Sequence, residues 1–387
     1  MGTTQSLFEE ELNQLQEREL YRELKTLEFQ KSAVHAKLQG RELVLFCGND
    51  YLGLSRHPRV IEAVREGAAE SGVGAGASRL IAGSSRDHER LETALARFKS
   101  KPQALLFTTG YMANVGTLTA LAGSDDLIVM DKLCHASIID GARLSGARLR
   151  VFSHLNYERC REILAKEKGH RRALLVTESV FSMDGDVADL DELIKIKKEA
   201  GALLIVDDAH ATGVVGKRGK GAPEIARDPE DVDVIVGTLS KAVGVLGGFA
   251  AGRREVMEYL INVSRPFIFS TALPPALCRG AHESLRLIDA EPVFRERLWS
   301  NARRLHEGIV RMGLEMGKLQ SAIVPVILEK EARALEVSKK LLIEGFFAPA
   351  IRPPTVPKGK SRLRLTISAA HTPEDIDRFL RALKRSI

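Results

Sequence analysis

From about residue 100 onward, short apolar runs alternate with stretches of helical periodicity. The runs are ALLF (104–107), DLIVM (126–130), RLRVF (148–152), ALLVT (173–177), ALLIVD (202–207), DVIVG (233–237) and GGFAAG (247–252). Most are apolar at nearly every position instead of every second one, the pattern of strands buried on both sides. The alternation therefore predicts a large, mostly parallel sheet with helices on both faces, an α/β architecture. Ahead of it, residues 5–30 place Leu7, Leu12, Leu15, Leu20 and Leu24 on one side and charges opposite, predicting an amphipathic helix. Leu43–Phe46 reads as a short strand entering the loop CGNDYLGLSRHP, and Pro58 opens a helix at a first-turn position. After about residue 285 the texture becomes that of a smaller α+β unit: an Arg- and Leu-rich helix, SAIVPVIL, the helix ARALEVSKKLLIEG, FFAPAI and RLRLTIS as strands, and a last helix. Thr372 and Asp375 form a capping-box pair at the start of that last helix. The expected division is a helical arm over 1–45, a large α/β domain over 46–285 and a small α+β domain over 286–387.

Composition narrows the class. The chain has 387 residues, 44% hydrophobic and 28% charged, which excludes wholesale disorder and fibrous structure. No run approaches the roughly 18 apolar residues that cross a bilayer; Val232–Ala251 is interrupted by Asp233, Thr238, Ser240 and Lys241. The N-terminus carries no basic segment followed by an apolar one, so a soluble cytoplasmic protein is expected. The net charge of +6 is spread along the chain and aromatics are 5%, which argues against nucleic acid and for a mild attraction to small anions. Cys47, Cys134, Cys160 and Cys278 are far apart, with no zinc or disulfide pattern.

Candidate chemistry lies at strand ends. Gly72-Val-Gly74-Ala-Gly76-Ala77 matches a dinucleotide fingerprint, but a helix precedes it and no strand follows until about residue 104, so that reading fails. The glycines fit a loop that approaches something closely or, equally, a flexible connector. ALLIVD ends in Asp207-Asp208-Ala209-His210, where an acid and a histidine could serve a metal, a hydrolase or a cofactor's ring nitrogen. DVIVG runs into Thr238-Leu239-Ser240-Lys241. A lysine leaving an apolar strand for a glycine-rich stretch is open to desolvation, which favours the nucleophilic amine; a solvent-reaching lysine is the plain alternative. Thr108-Thr109-Gly110-Tyr111 opens a helix whose free N–H groups suit a phosphate. DLIVM is followed by His135. A phosphate turn, a ring-sized histidine, an acid and a lysine on one sheet edge together suggest pyridoxal phosphate.

As an ordered set, GVGAGASRLIAGSSRDHERLE, DKLCHASIIDGARL, TESVFSMDGD, VDDAHATGVVG and GTLSKAVGVLGG resemble the α-oxoamine synthases, fold-type-I pyridoxal 5'-phosphate enzymes that condense an amino acid with an acyl thioester. The resemblance runs from about residue 40 to the C-terminus. Pro349-Ala-Ile-Arg352-Pro-Pro-Thr-Val-Pro357, followed by RLRLTISAAHT, is similar to the branch that joins L-alanine to pimeloyl-CoA or pimeloyl-acyl carrier protein in biotin biosynthesis. The sibling branch that uses glycine and an acetyl donor is the alternative. The resemblance implies that Lys241 holds the cofactor and moves the α-proton, that Asp207 pairs with the ring nitrogen and that His135 stacks on the ring. It implies that His210 and Ser182 bond the 3'-oxygen, and that Gly110, Tyr111 and Thr238 hold the phosphate. Ser270 and Thr271, in FSTALPPA, would reach a phosphate across a homodimer interface. Arg352 would bind the substrate carboxylate, with Asn49 in the substrate loop. Arg22 falls where the family binds the distal acyl carboxylate, or else on a solvated helix face. No metal is implied. Two broader alternatives are another reaction of the same fold, such as transamination, and a non-catalytic binding protein.

Overall fold

The computed structural model describes residues 4–18 and 20–387. After a helix at Thr4–Glu17 come three short strands, β1 (Glu28–Phe29), β2 (His35–Leu38) and β3 (Arg41–Leu45). The next seven are β4 (Gln103–Phe107), β5 (Leu127–Asp131), β6 (Arg148–Phe152), β7 (Ala173–Glu178), β8 (Leu203–Asp207), β9 (Val234–Thr238) and β10 (Gly248–Gly252). The last four are β11 (Ile323–Glu329), β12 (Phe346–Phe347), β13 (Ala350–Ile351) and β14 (Ser361–Thr366).

Strands β4–β10 form one sheet in the order β4-β10-β9-β8-β7-β5-β6, with β10 antiparallel to both neighbours and the other pairings parallel. Each of the seven apolar runs lands on its strand to within a residue or so. The reason shows in the core. Leu127 and Val129 join one apolar cluster while Ile128 and Met130 join another, and Leu204 and Val206 are likewise split from Ile205. Alternate side chains thus enter opposite helical layers, so every position must be apolar.

The first cluster continues without a break into Leu363, Leu365 and Phe379, so the C-terminal region packs on the same apolar mass as the large sheet. There β11, β14 and β13 form an antiparallel sheet. FFAPAI does not make one strand: β12 pairs parallel with β3, whereas β13 pairs with β14. The closing helix Pro373–Ser386 carries the Thr372–Asp375 capping box.

The N-terminal expectation needs correction. The helix ends at Glu17 instead of running to residue 30, and the arm contains three strands. Leu7, Leu12, Leu15 and Leu24 are exposed. A helix draws most of its stability from the surface its apolar face covers. That stripe covers none of the described core, and Glu28–Phe29 is drawn instead into pairing with Ala36–Lys37.

Candidate active site

The carboxyl ends of β7, β8 and β9 lie side by side at one edge of the sheet, and the helix Gly110–Leu121 starts against Thr238 at the end of β9. Asp207, the last residue of β8, is buried. Its Oδ2 accepts from Asn114 Nδ2 at 2.6 Å and its Oδ1 from the Ala209 N–H at 2.9 Å. Asn114 also donates to Ser137 Oγ (2.9 Å), which lies 2.8 Å from His135 Nδ1. A single side-chain relay therefore links the acid to the histidine, whose ring stays exposed. Neither Asn114 nor Ser137 is singled out by motif, although Ser137 lies within the segment DKLCHASIIDGARL and Asn114 one turn into the helix that Gly110 opens.

The helix Gly110–Leu121 starts beside β9 because its first residue has no side chain. A Cβ at Gly110 would sit 3.0 Å from Thr238 Cβ. The first intrahelical bond is made by Ala113 to Thr109 O, and the Thr109 hydroxyl caps Met112 N. The N–H groups of Gly110 and Tyr111 precede that bond and are unspent by the helix. Thr238 Oγ1 donates to Gly247 O and accepts from Ser240 N, which folds the turn that carries Lys241. Gly244, at φ +76°, lets the turn close against Leu54 and Ser55, where a Cβ would lie 2.5 Å from a backbone nitrogen.

Burial pushes the Lys241 amine down to about 8, against the pull of Asp207 and Glu178 and with help from Arg364. A lysine there is half deprotonated at about pH 8, far below an ordinary lysine, which makes the neutral amine that attacks a carbonyl accessible. His210 is buried, with Tyr51 OH 2.7 Å from its Nδ1. Burial first, then Lys241 and Arg364, hold its imidazole well below the usual histidine range, so it is neutral.

Arg364, on β14, is the largest departure from the sequence reading. It is buried, its Nε donates to Ser182 O, and both terminal nitrogens lie 3.4 Å from Asn49 Oδ1. It thus gathers Ser182, Asn49 and the field around Lys241 and His210 at one point. Arg352 is half-buried, in the segment following β13. Arg22 lies beyond the end of the helix and is exposed, so the solvated helix face is not its setting. Ser270 and Thr271 sit in a surface turn, Thr271 bridged to Ser78 and Ser270 Oγ donating to Thr271 O. Gly72 and Gly76 have φ of +78° and +69°, which explains glycine at both, while a Cβ on either would meet nothing of this chain.

Such an edge, with a depressed lysine, a braced acid and an open histidine ring on a seven-stranded sheet, is shared by a known class. The chain belongs to the aminotransferase class I and II family, whose pattern matches residues 41–383, and it has the fold-type-I architecture. Within that class it belongs with the 8-amino-7-oxononanoate synthases. The Methylococcus capsulatus protein of that name is 47% identical over 351 residues, covering 90% of each chain. A solved 8-amino-7-oxononanoate synthase from Francisella tularensis has a TM-score of 0.77 at 30% identity, covering 89% of this chain and 97% of that one. A serine palmitoyltransferase variant from S. paucimobilis, solved with a bound PLP–myriocin aldimine, has a TM-score of 0.94 at 35% identity, covering 100% and 98%.

The cofactor of the class is pyridoxal 5'-phosphate, and the residues present fit it. Two unspent N–H groups stand at a helix N-terminus for the phosphate, where the helix dipole also favours an anion. An acid, a ring-sized histidine and a lysine lowered to about 8 stand around the same edge for the ring and aldehyde.

Proposed function

We propose that this chain condenses L-alanine with a pimeloyl thioester, releasing carbon dioxide and the free thiol and forming 8-amino-7-oxononanoate. The observation that carries the reading is the nearness of Lys241 and Arg364: a lowered amine that feels the charge of a buried guanidinium, itself 3.4 Å from Asn49 Oδ1. When bound, pyridoxal phosphate supplies an aldehyde for the amino group and a ring that accepts electrons from the α-carbon. Lys241 would hold that aldehyde and, once displaced, move the α-proton through its Nζ. Asp207, kept in place by Asn114 and Ala209, would face the ring nitrogen and hold its proton. Neutral His210 and Ser182 would bond the 3'-oxygen, His135 would cover the ring, and Gly110, Tyr111 and Thr238 would anchor the phosphate.

Arg364 with Asn49 takes the substrate carboxylate in this reading. The long contacts to Asn49 are ones a carboxylate displaces with two parallel N–H bonds. Arg352, to which the family resemblance gives that role, is assigned to the acyl side of the entrance with Arg22. The thioester carrier is coenzyme A or acyl carrier protein. The enzyme acts in the cytoplasm as a homodimer, with Ser270 and Thr271 reaching the partner's phosphate; their surface position supports that assignment. The three-part division at residues 45 and 285 accompanies the same reading.

A second reading is a sibling synthase with a longer acyl donor, favoured by the 0.94 TM-score to serine palmitoyltransferase. Thiol release is to be measured with pimeloyl, acetyl, succinyl and palmitoyl thioesters against alanine, glycine and serine. Fastest turnover with pimeloyl and alanine supports the proposal. Preference for palmitoyl and serine, or for acetyl and glycine, replaces it.

A further inference from the structure

Glu178 closes β7 as the direct register partner of Asp207 on β8. Two carboxyl side chains thus leave adjacent parallel strands at the same level and on the same face. Glu178 is only 2% exposed, and its Oε1 has no hydrogen-bond partner among the described residues. Asp207, by contrast, has a bond to each oxygen. The groups facing Glu178 come from every neighbouring element: Asp207 from β8, Lys241 from the turn after β9, the Cys134 thiol beyond β5, and the peptide N–H groups of His135 and Ser182.

Two anions so placed oppose one another, and the less well-bonded one takes up a proton. Burial, then the charge of Asp207, push Glu178 up to about 8, against Lys241 and the two peptide groups. We propose that Glu178 and Asp207 form a one-proton pair in which Glu178 carries the proton, leaving Asp207 the sole anion that meets the cofactor's ring nitrogen. Glu178 is then a positioning residue, acting through the charge of Asp207 and Lys241. The inference rests on reading Asp207 as the partner of that nitrogen.

Ionised Glu178 favours the charged form of Lys241, so its ionisation near pH 8 delays deprotonation of neighbouring cations. Glu178→Gln keeps the shape and removes the charge. In the holoenzyme, the pH titration of cofactor absorbance should move to lower pH by about half a unit or more in Glu178→Gln, and return toward wild type in Glu178→Asp. Infrared spectra of the wild-type holoenzyme should contain a protonated-carboxyl band that disappears as pH passes about 8. Coincident midpoints in wild type and Glu178→Gln, or no carboxyl band titrating in the wild type, overturns the pair. Asp207→Asn is measured alongside, by equilibrium dialysis of pyridoxal phosphate. Unchanged cofactor affinity in that variant sinks the reading of Asp207 itself; weakened affinity beside coincident midpoints sinks only the pair.

Discussion

Asp207 and Asp208 are consecutive in the chain and serve opposite ends. Asp208 is fully buried behind the sheet edge. Its oxygens take bonds from Lys99 (2.7 Å), Ser179 (2.7 Å), Thr212 (3.0 Å) and the Ala222 N–H (3.0 Å). Lys99 spends its other donors on Thr212 and Lys220 O. In front, Asp207 keeps two bonds, Glu178 has an unpartnered oxygen and Arg364 reaches Asn49 only at 3.4 Å. A buried charge is costly unless saturated. The saturated cluster behind therefore fixes the loop 208–222, while the incompletely bonded groups in front stand where reactants can complete them.

The contrast is broken most severely at Lys241. Lys241→Ala should cut kcat by about ten-thousand-fold, the upper range for losing a positioned proton carrier, with the thermal midpoint little changed. Steady-state thiol release and a melting curve check both halves. The two aspartates come next. Asp207→Asn should lower kcat about a hundred-fold or more, as removing one preorganised electrostatic partner does, while stability holds. Asp208→Asn should do the reverse, losing about 3–5 kcal/mol of stability because Lys99 is left with an uncompensated buried charge. Denaturant unfolding of both variants decides it: equal destabilisation would erase the distinction between the two sides.

The front of the site was largely legible in the sequence because its parts sit at strand ends, and strand ends follow from continuous apolar runs. Lys241, Asp207, His135, His210 and the Gly110 turn are all read as candidates in this way, and the fold brings them to neighbouring strand ends. Arg364 is not read in this way. It lies on a strand of alternating Arg and Leu, RLRLT, which reads as one polar face of a small sheet; only tertiary packing against Asn49 and Ser182 makes it a site residue. Glu178 was passed over for a related reason, since an acid after ALLVT looks like any strand terminus until β8 sets Asp207 beside it. The N-terminal leucines misled in the other direction. Periodicity records which face is apolar, and the helix beyond Glu17 would have needed a surface to cover.

Within the front group, Arg364 and Arg352 can be ranked. Arg364→Lys keeps the charge but loses the planar fork, so KM for alanine should rise about ten-fold, while Arg352→Lys should leave it within about two-fold and act on KM for the acyl donor instead. Initial rates at varied alanine and at varied thioester separate the two. A larger effect of Arg352→Lys on alanine would restore the assignment drawn from the sequence.

The smallest effect belongs to the scaffold side. His154 links Asp131 (Nδ1 to Oδ1, 3.0 Å) with Asp186 (Nε2 to Oδ2, 2.7 Å), bracing the turn that carries Ser182. Burial acts against its charge, but the two carboxylates prevail and raise it to about 10. The folded value is above the unfolded one, near 6.5. The stabilisation is therefore complete below about pH 6.5 and is lost as pH rises through about 10. Two charge-assisted hydrogen bonds on a partly exposed ring make that loss about 2 kcal/mol. The wild type should lose stability between pH 7 and 10 more steeply than His154→Gln, which has no charge to shed. Activity should meanwhile turn near pH 8 with Lys241 in both proteins. If stability and activity fell together at one pH, the scaffold and the reacting groups would be titrating as one unit, and the separation between the two sides of the strand ends would be gone.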